Sequence, residues 1–224
     1  MKAMILAAGR GERMRPLSDS MAKPLLTIKG KSLIVHQIEA LAKAGITEIV
    51  INLSYQSEQI QESLGDGAQF GVCITYSHEG NHALGTGGGV KRALRLLGAE
   101  PFLLLAGDIW TDFPYQRLIT KTKHQAYLVL VPNPVFHPIG DFGLMENGLV
   151  TNEEPKFTYA CIAVLKPSLF DDFNSEVFSL GDVLRDAITK EKVYGELYSG
   201  GWDNVGTPEQ LAHLRTGYPD VQNE

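Results

Sequence analysis

An α/β fold with a largely parallel sheet and helices on both faces follows from two features of the sequence. Short apolar, β-branched runs recur at KAMILA (2–7), EIVINL (48–53), VCITYS (72–77), PFLLLAGD (101–108) and AYLVLVP (126–132). Segments of helical periodicity separate them, and strands that alternate with helices assemble as a parallel sheet covered on both sides.

In order, KAMILA is the first strand and runs into a glycine-rich turn. SLIVHQIEALAKAG (32–45) places Ile34, Ile38, Leu41 and Ala42 on one helical face and stops at Gly45. VKRALRLLG (90–98) repeats that design, again closed by glycine. Beyond about residue 130 the texture becomes more mixed: short strands and turns in VPNPVFHPIGDFGLMENGLV (131–150), then FTYACIAVLKP (157–167), an amphipathic helix at SLGDVLRDAI (179–188) and the strand-like YSGGWDNVG (198–206). Thr207, Pro208 and Gln210 read as N-cap, first-turn proline and capping-box glutamine of a terminal helix reaching Arg215. The chain is expected to form one domain over residues 1–217, with residues 218–224 as a loose tail.

The 224 residues are 44% hydrophobic and 21% charged, an ordinary composition for a single globular core. A net charge of -6 argues against a nucleic-acid-binding or anionic-membrane surface, so a polyanionic ligand must be met by local groups. Neither a signal-peptide core nor a membrane-spanning run is visible, and the cytoplasm is the expected location. Cys73 and Cys161 both fall in strand-like runs, which predicts reduced core thiols. No long apolar stripe or heptad speaks for an oligomer, whose state the sequence leaves open.

HEGNH (78–82) fits the H-E-x-x-H zinc pattern by letter. That pattern needs a helix to bring both imidazoles to one metal, and Gly80 and Asn81 at its centre, with the LGTGGG run just beyond, predict a loop instead. The glycines matter more than the histidines: a glycine-lined backbone admits a planar or phosphorylated ligand in front of a helix starting at Val90.

The first turn, Ala7-Ala8-Gly9-Arg10-Gly11-Glu12-Arg13, can present consecutive amides to an anion, with Arg13 and then Lys23 supplying charge. It has neither the G-x-G-x-x-G nor the G-K-[ST] spacing, which disfavours dehydrogenase and P-loop readings. Asp108 closes its strand at the carboxyl end of the sheet, and Asp203 follows a strand before a capped helix. Two carboxylates facing a triphosphate suit Mg²⁺, which takes few protein oxygens.

Taken together, LAAGRGERMRPL (6–17) with KPLL (23–26), LGTGGG (84–89), LLLAGD (103–108) and WDNVGT (202–207) resemble the nucleotidyltransferases that make nucleoside-diphosphate sugars from a nucleoside triphosphate and a sugar 1-phosphate. The resemblance covers nearly the whole chain. It implies the Rossmann-like fold of nucleotide-diphospho-sugar transferases without a C-terminal β-helix, with residues 1–125 mainly for the nucleotide and 126–217 mainly for the sugar phosphate. It assigns Gly9, Gly11 and Arg13 to the triphosphate, Lys23 to phosphate, Leu6, Ala8, Gly85 and Thr86 to base and ribose, and Asp108 and Asp203 to Mg²⁺. Arg13, Lys23 and Asp108 would carry catalysis, and their presence argues against a silent nucleotide-sugar sensor. Gly140, Asp141 and Glu154 match the acceptor stretches.

Where many relatives read Glu-Lys-Pro, this chain has Glu153-Glu154-Pro155-Lys156, leaving Lys156 and Lys166 as alternative acceptor-phosphate contacts. NPVFHPIGDFGL (133–144), and the end of the chain soon after VGTPEQL, look most like the members that use UTP and N-acetylmuramic acid 1-phosphate in peptidoglycan recycling. Mannose 1-phosphate guanylyl transfer is the alternative.

Overall fold

The computed structural model describes residues 1–80 and 83–217. Its strands are β1 (Ala3–Leu6), β2 (Thr27–Ile28), β3 (Lys31–Ser32), β4 (Glu48–Leu53), β5 (Cys73–His78), β6 (Phe102–Ala106), β7 (Ile109–Thr111), β8 (Ala126–Val131), β9 (Phe142–Leu144), β10 (Val150–Thr151), β11 (Lys156–Leu165), β12 (Val193–Leu197) and β13 (Trp202–Asn204). The helices are α1 (Leu17–Ser20), α2 (Leu33–Lys43), α3 (Ser57–Leu64), α4 (Gly85–Leu97), α5 (Leu180–Thr189) and α6 (Pro208–Gly217).

β1 lies between β4 and β6, parallel to both, and β5 extends the sheet beyond β4. The chain thus builds outward from β1 on one side and returns to its other side at β6. A reversal of this kind opens a crevice at the carboxyl ends of the strands. β11 runs antiparallel to that set: it pairs β6, and β8 and β9, antiparallel to β11 in turn, run in the direction of β1. β12 joins β8 in parallel.

The sheet buries both faces because its central strands β1 and β6 are apolar at every position. Ile5, Ile51, Leu103 and Leu105 pack with Ile34, Ile38 and Leu41 of α2 and Ile60 and Leu64 of α3. Met4, Val50, Leu104 and Leu128, one residue out of phase, meet Val90 and Ala93 of α4 and Val183, Leu184 and Ala187 of α5. A smaller cluster of Met14, Leu33, Trp110, Val205, Leu211 and Leu214 seats α6. Among the described residues no helix is long and apolar enough to cross a membrane.

Two local expectations change, and one is met over the residues described. α4 begins at Gly85 rather than Val90, because segment 176–179 and Glu79 occupy the space that side chains at 87, 88 and 89 would fill. Cys73 is exposed, since β5 is an edge strand and residue 73 is on its outer face. In HEGNH, His78 ends β5 and Gly80 has a positive φ, so residues 78–80 do not begin a helix; Asn81 and His82, like the 218–224 tail, lie outside the described residues.

Candidate functional site

β1 and β6 end side by side, with Leu6 paired to Ala106. The Gly107 amide donates to the Leu6 carbonyl at 2.9 Å, and a Cβ at 107 would lie 3.0 Å from that oxygen, so this approach needs glycine. The tight turn delivers Asp108 to the strand ends, where its Oδ2 accepts from Lys23 Nζ at 2.5 Å. The Val205 amide donates to the Asp108 backbone carbonyl at 3.0 Å, pinning the segment after β13 against the same turn.

A cavity of about 430 Å³ opens there, within the usual size of small-molecule sites. Leu6, Ala8, Gly9, Lys23, Gly85, Thr86, Asp108 and Asp141, all expected from the sequence, line it. Gly11 and Arg13, also expected from the sequence, do not line it. Gly11 (φ 64°) lets the chain turn against Lys23, and the Arg13 guanidinium borders Gly206 beside β13, where an ideal Cβ would be 3.4 Å from Nη2.

A buried relay ties the first turn to the start of α4. The Ala7 amide donates to Asn52 Oδ1 at 2.8 Å, Asn52 Nδ2 donates to Glu79 Oε1 at 2.6 Å, and Glu79 Oε2 accepts from the Leu84 amide at 3.3 Å. Glu79, the acid of HEGNH, therefore ties the first turn to the start of α4. Thr86 Oγ1 accepts from the Leu180 amide at 2.9 Å, which joins α4 to α5.

Of the two neighbouring residues of β13, the one expected from the sequence as second metal ligand, Asp203, is not the one that reaches the cavity. Asn204, not Asp203, lines the cavity. Side chains alternate along β13, and its pairing with β7 sets Asp203 opposite Trp110 and Asn204 opposite Ile109. Burial pushes the Asp203 carboxyl above the usual range, opposed by the charge of His213 on α6. On the acceptor side Gly140 (φ 71°) makes the turn that presents Asp141, whose Oδ2 accepts from the Tyr159 amide at 2.8 Å. Glu154 does not line the cavity; its exposed side chain faces Lys156 at 3.7 Å. Lys166 donates to the Lys123 carbonyl beyond the far end of β11, away from the cavity.

Tyr159 and Cys161 line the cavity from an irregular stretch of β11, where the register shifts and Cys161 adopts φ 57°. A bulge re-aims side chains without changing composition, so nothing in ACIAV signals it. The buried Tyr159 hydroxyl has no hydrogen-bond partner among the described residues.

The sequence matches the family described as Nucleotidyl transferase over residues 2–220. The chain belongs to that family. It is 44% identical over 216 residues to the N-acetylmuramate alpha-1-phosphate uridylyltransferase of Neisseria meningitidis serogroup B, covering 92% of this chain and 94% of that protein. To the catalytic subunit beta of Drosophila melanogaster mannose-1-phosphate guanylyltransferase it is 31% identical, spanning 94% of this chain and 60% of the longer relative. Among solved structures, HddC from Yersinia pseudotuberculosis complexed with GMP-PN superposes with a TM-score of 0.80 at 22% identity, covering 97% of this chain and 99% of that one. At that identity the likeness establishes the fold, which is the one expected. The chain is a sugar 1-phosphate nucleotidyltransferase.

In this nucleotidyltransferase burial, with Asp108 and Asp141 nearby and Lys23 opposing, pushes the Cys161 thiol up to about 12. It is an inert wall group at neutral pH, since only the thiolate reacts. At pH 8 iodoacetamide is expected to alkylate exposed Cys73 at least roughly a hundredfold faster than Cys161. Peptide mass spectrometry over a time course reads this directly; equal labelling would place Cys161 in water.

Proposed function

We propose that this nucleotidyltransferase transfers the uridylyl group of UTP to N-acetylmuramic acid 1-phosphate, giving UDP-N-acetylmuramic acid and pyrophosphate in cytoplasmic peptidoglycan recycling. The observation that carries this reading is the near full-length likeness to the Neisseria uridylyltransferase, which extends over both the nucleotide and the acceptor halves.

The chemistry asks little of acid–base groups. A phosphate monoester has a second pKa of about 6, so the acceptor oxygen is anionic at neutral pH and needs no base. That oxygen forms a bond to the α-phosphorus of UTP, the bond to the bridging oxygen breaks, and pyrophosphate leaves with the electron pair. The protein must align the two and offset repulsion between polyanions. Lys23 sits where the first turn meets Asp108 and would neutralise charge on the transferring phosphoryl group. Arg13, behind Gly11, would hold the outer phosphates.

The donor set fits Mg²⁺. The Asp108 carboxylate and the Asn204 amide oxygen are hard donors on segments locked together by the Val205 amide. Mg²⁺ takes few protein oxygens and completes its shell from phosphate and water, so it would arrive with its nucleotide. Bound there, Mg²⁺ would supply Lewis-acid stabilisation of phosphoryl charge.

The test is pyrophosphate release with Mg²⁺, using UTP, GTP, CTP and dTTP against N-acetylmuramic acid, N-acetylglucosamine, mannose and glucose 1-phosphates. UTP with the muramate acceptor should dominate. Dominance of GTP with mannose 1-phosphate would overturn the substrate reading and keep the fold's chemistry. An α-phosphorothioate of UTP should react with inversion, and retention would require a covalent enzyme intermediate.

A further inference from the structure

One cation of the acceptor wall has no part in the phosphoryl chemistry just described. Arg185 is in the second turn of α5, and Leu180, Gly181, Leu184 and Arg185 of this helix all line the cavity. Gly181 leaves room for the guanidinium: a Cβ at 181 would lie 2.9 Å from Arg185 Nη1. The guanidinium carbon is 5.9 Å from the centre of the Phe142 ring, which is itself 6.3 Å from the Tyr159 ring. The nearest carboxylate, Asp182, is 3.8 Å away, and both side chains are more than half exposed, a weak pairing.

The other charged groups on this wall are engaged. Lys23 is held by Asp108, Glu79 by Asn52 and Leu84, and Asp141 by the Tyr159 amide. Arg185 has a planar, permanently charged fork over an aromatic face, and no bond among the described residues uses up its donors. Such a fork matches a carboxylate in two-point geometry, and an apolar backing of Phe142 and Leu184 raises the strength of that contact.

We propose that Arg185 binds a carboxylate carried by the acceptor sugar itself, away from its phosphate, and so selects a sugar acid over neutral sugars. This rests on the acceptor reading above, since the lactyl ether of muramic acid supplies such a carboxylate and mannose, glucose and N-acetylglucosamine do not. Charge supplies the discrimination: a neutral acceptor leaves the guanidinium to water and forfeits the charge-assisted contact.

The experiment compares N-acetylmuramic acid 1-phosphate with the analogue whose lactyl carboxylate is converted to an amide, at saturating UTP, in wild type, Arg185→Gln and Arg185→Lys. Wild type should favour the acid by about 10- to 100-fold in kcat/KM, mainly through KM, from the difference between charged and neutral hydrogen bonds. Arg185→Gln should erase that preference and Arg185→Lys should keep part of it. Equal loss for acid and amide in Arg185→Gln would assign the residue to the acceptor phosphate and overturn the proposal, as would a preference that survives the substitution. A wild-type enzyme that uses no muramate acceptor overturns the underlying reading, and shows this before any residue is changed.

Discussion

Asp108→Asn is expected to lower kcat by roughly a thousandfold at saturating Mg²⁺, the scale of removing a group aimed at transition-state charge. The substitution is nearly isosteric and the asparagine oxygen can still accept from Lys23, so the loss comes from charge. Two effects act in the same direction. The site loses the carboxylate proposed to hold Mg²⁺, and Lys23, now without its counterion, is left to bind substrate phosphate in the ground state as well as the transition state. Stability should change little, by about 1 kcal/mol or less, because the pair is partly exposed to solvent. Near wild-type turnover with an unchanged Mg²⁺ requirement would remove Asp108 from the catalytic set.

The same measurement on Asp203 separates the two assignments of the second ligand. Asp203→Asn should retain turnover within several-fold, since residue 204 and not residue 203 lines the cavity. Its effect on stability has a definite sign. Burial raises the folded-state carboxyl above its unfolded value, so the folded chain binds the proton more tightly and stability falls as pH rises through that interval. Asparagine removes this cost, and at pH 7 the variant should melt no lower than wild type. Asn204→Asp should remain active and Asn204→Ala should not; the reverse pattern, with Asp203 indispensable, would restore the residue that the sequence spacing suggested.

The sheet was legible because its strands are continuous apolar runs and its helices carry apolar residues at helical spacing: EIVINL and Ile34-Ile38-Leu41 each determine their element locally. This part of the cavity lining was legible for a related reason, since Gly9, Lys23, Gly85 and Asp108 come in compact motifs whose spacing carries geometry. What sequence could not supply was parity and distant contact. Whether residue 203 or 204 faces the cavity depends on pairing with β7, about ninety residues earlier. Cys161 reaches the cavity only through a register shift, and Arg185 only because α5 packs beside α4. Glu79 looked like one letter of a zinc motif, and its burial against Asn52 became visible only with the fold.

Gly89→Ala is expected to destabilise the protein by roughly 2–4 kcal/mol, the combined scale of overpacking and of leaving buried donors unpaired. Helix propensity alone predicts the opposite. Gly89 lies inside α4, where alanine is favoured over glycine by about 1 kcal/mol. Packing outweighs that gain: a Cβ here would lie 2.3 Å from Glu79 Oε1 and 2.9 Å from Asn52 Nδ2. Glu79 cannot step aside freely, because it is 6% exposed and both its oxygens are bonded, one to Asn52 and one to the Leu84 amide. Moving it orphans these donors and loosens Asn52 from the Ala7 amide, which positions the turn after β1. For a chain of this size the loss corresponds to a fall of about 5–15 °C in melting temperature, and nucleotide affinity should fall with it. The double variant Gly89→Ala/Glu79→Ala decides the cause. If the collision with Glu79 is responsible, it should melt above the value expected from adding the two single losses. Strict additivity, or a rise in melting temperature for Gly89→Ala alone, would mean that propensity rather than the Glu79 contact governs this position.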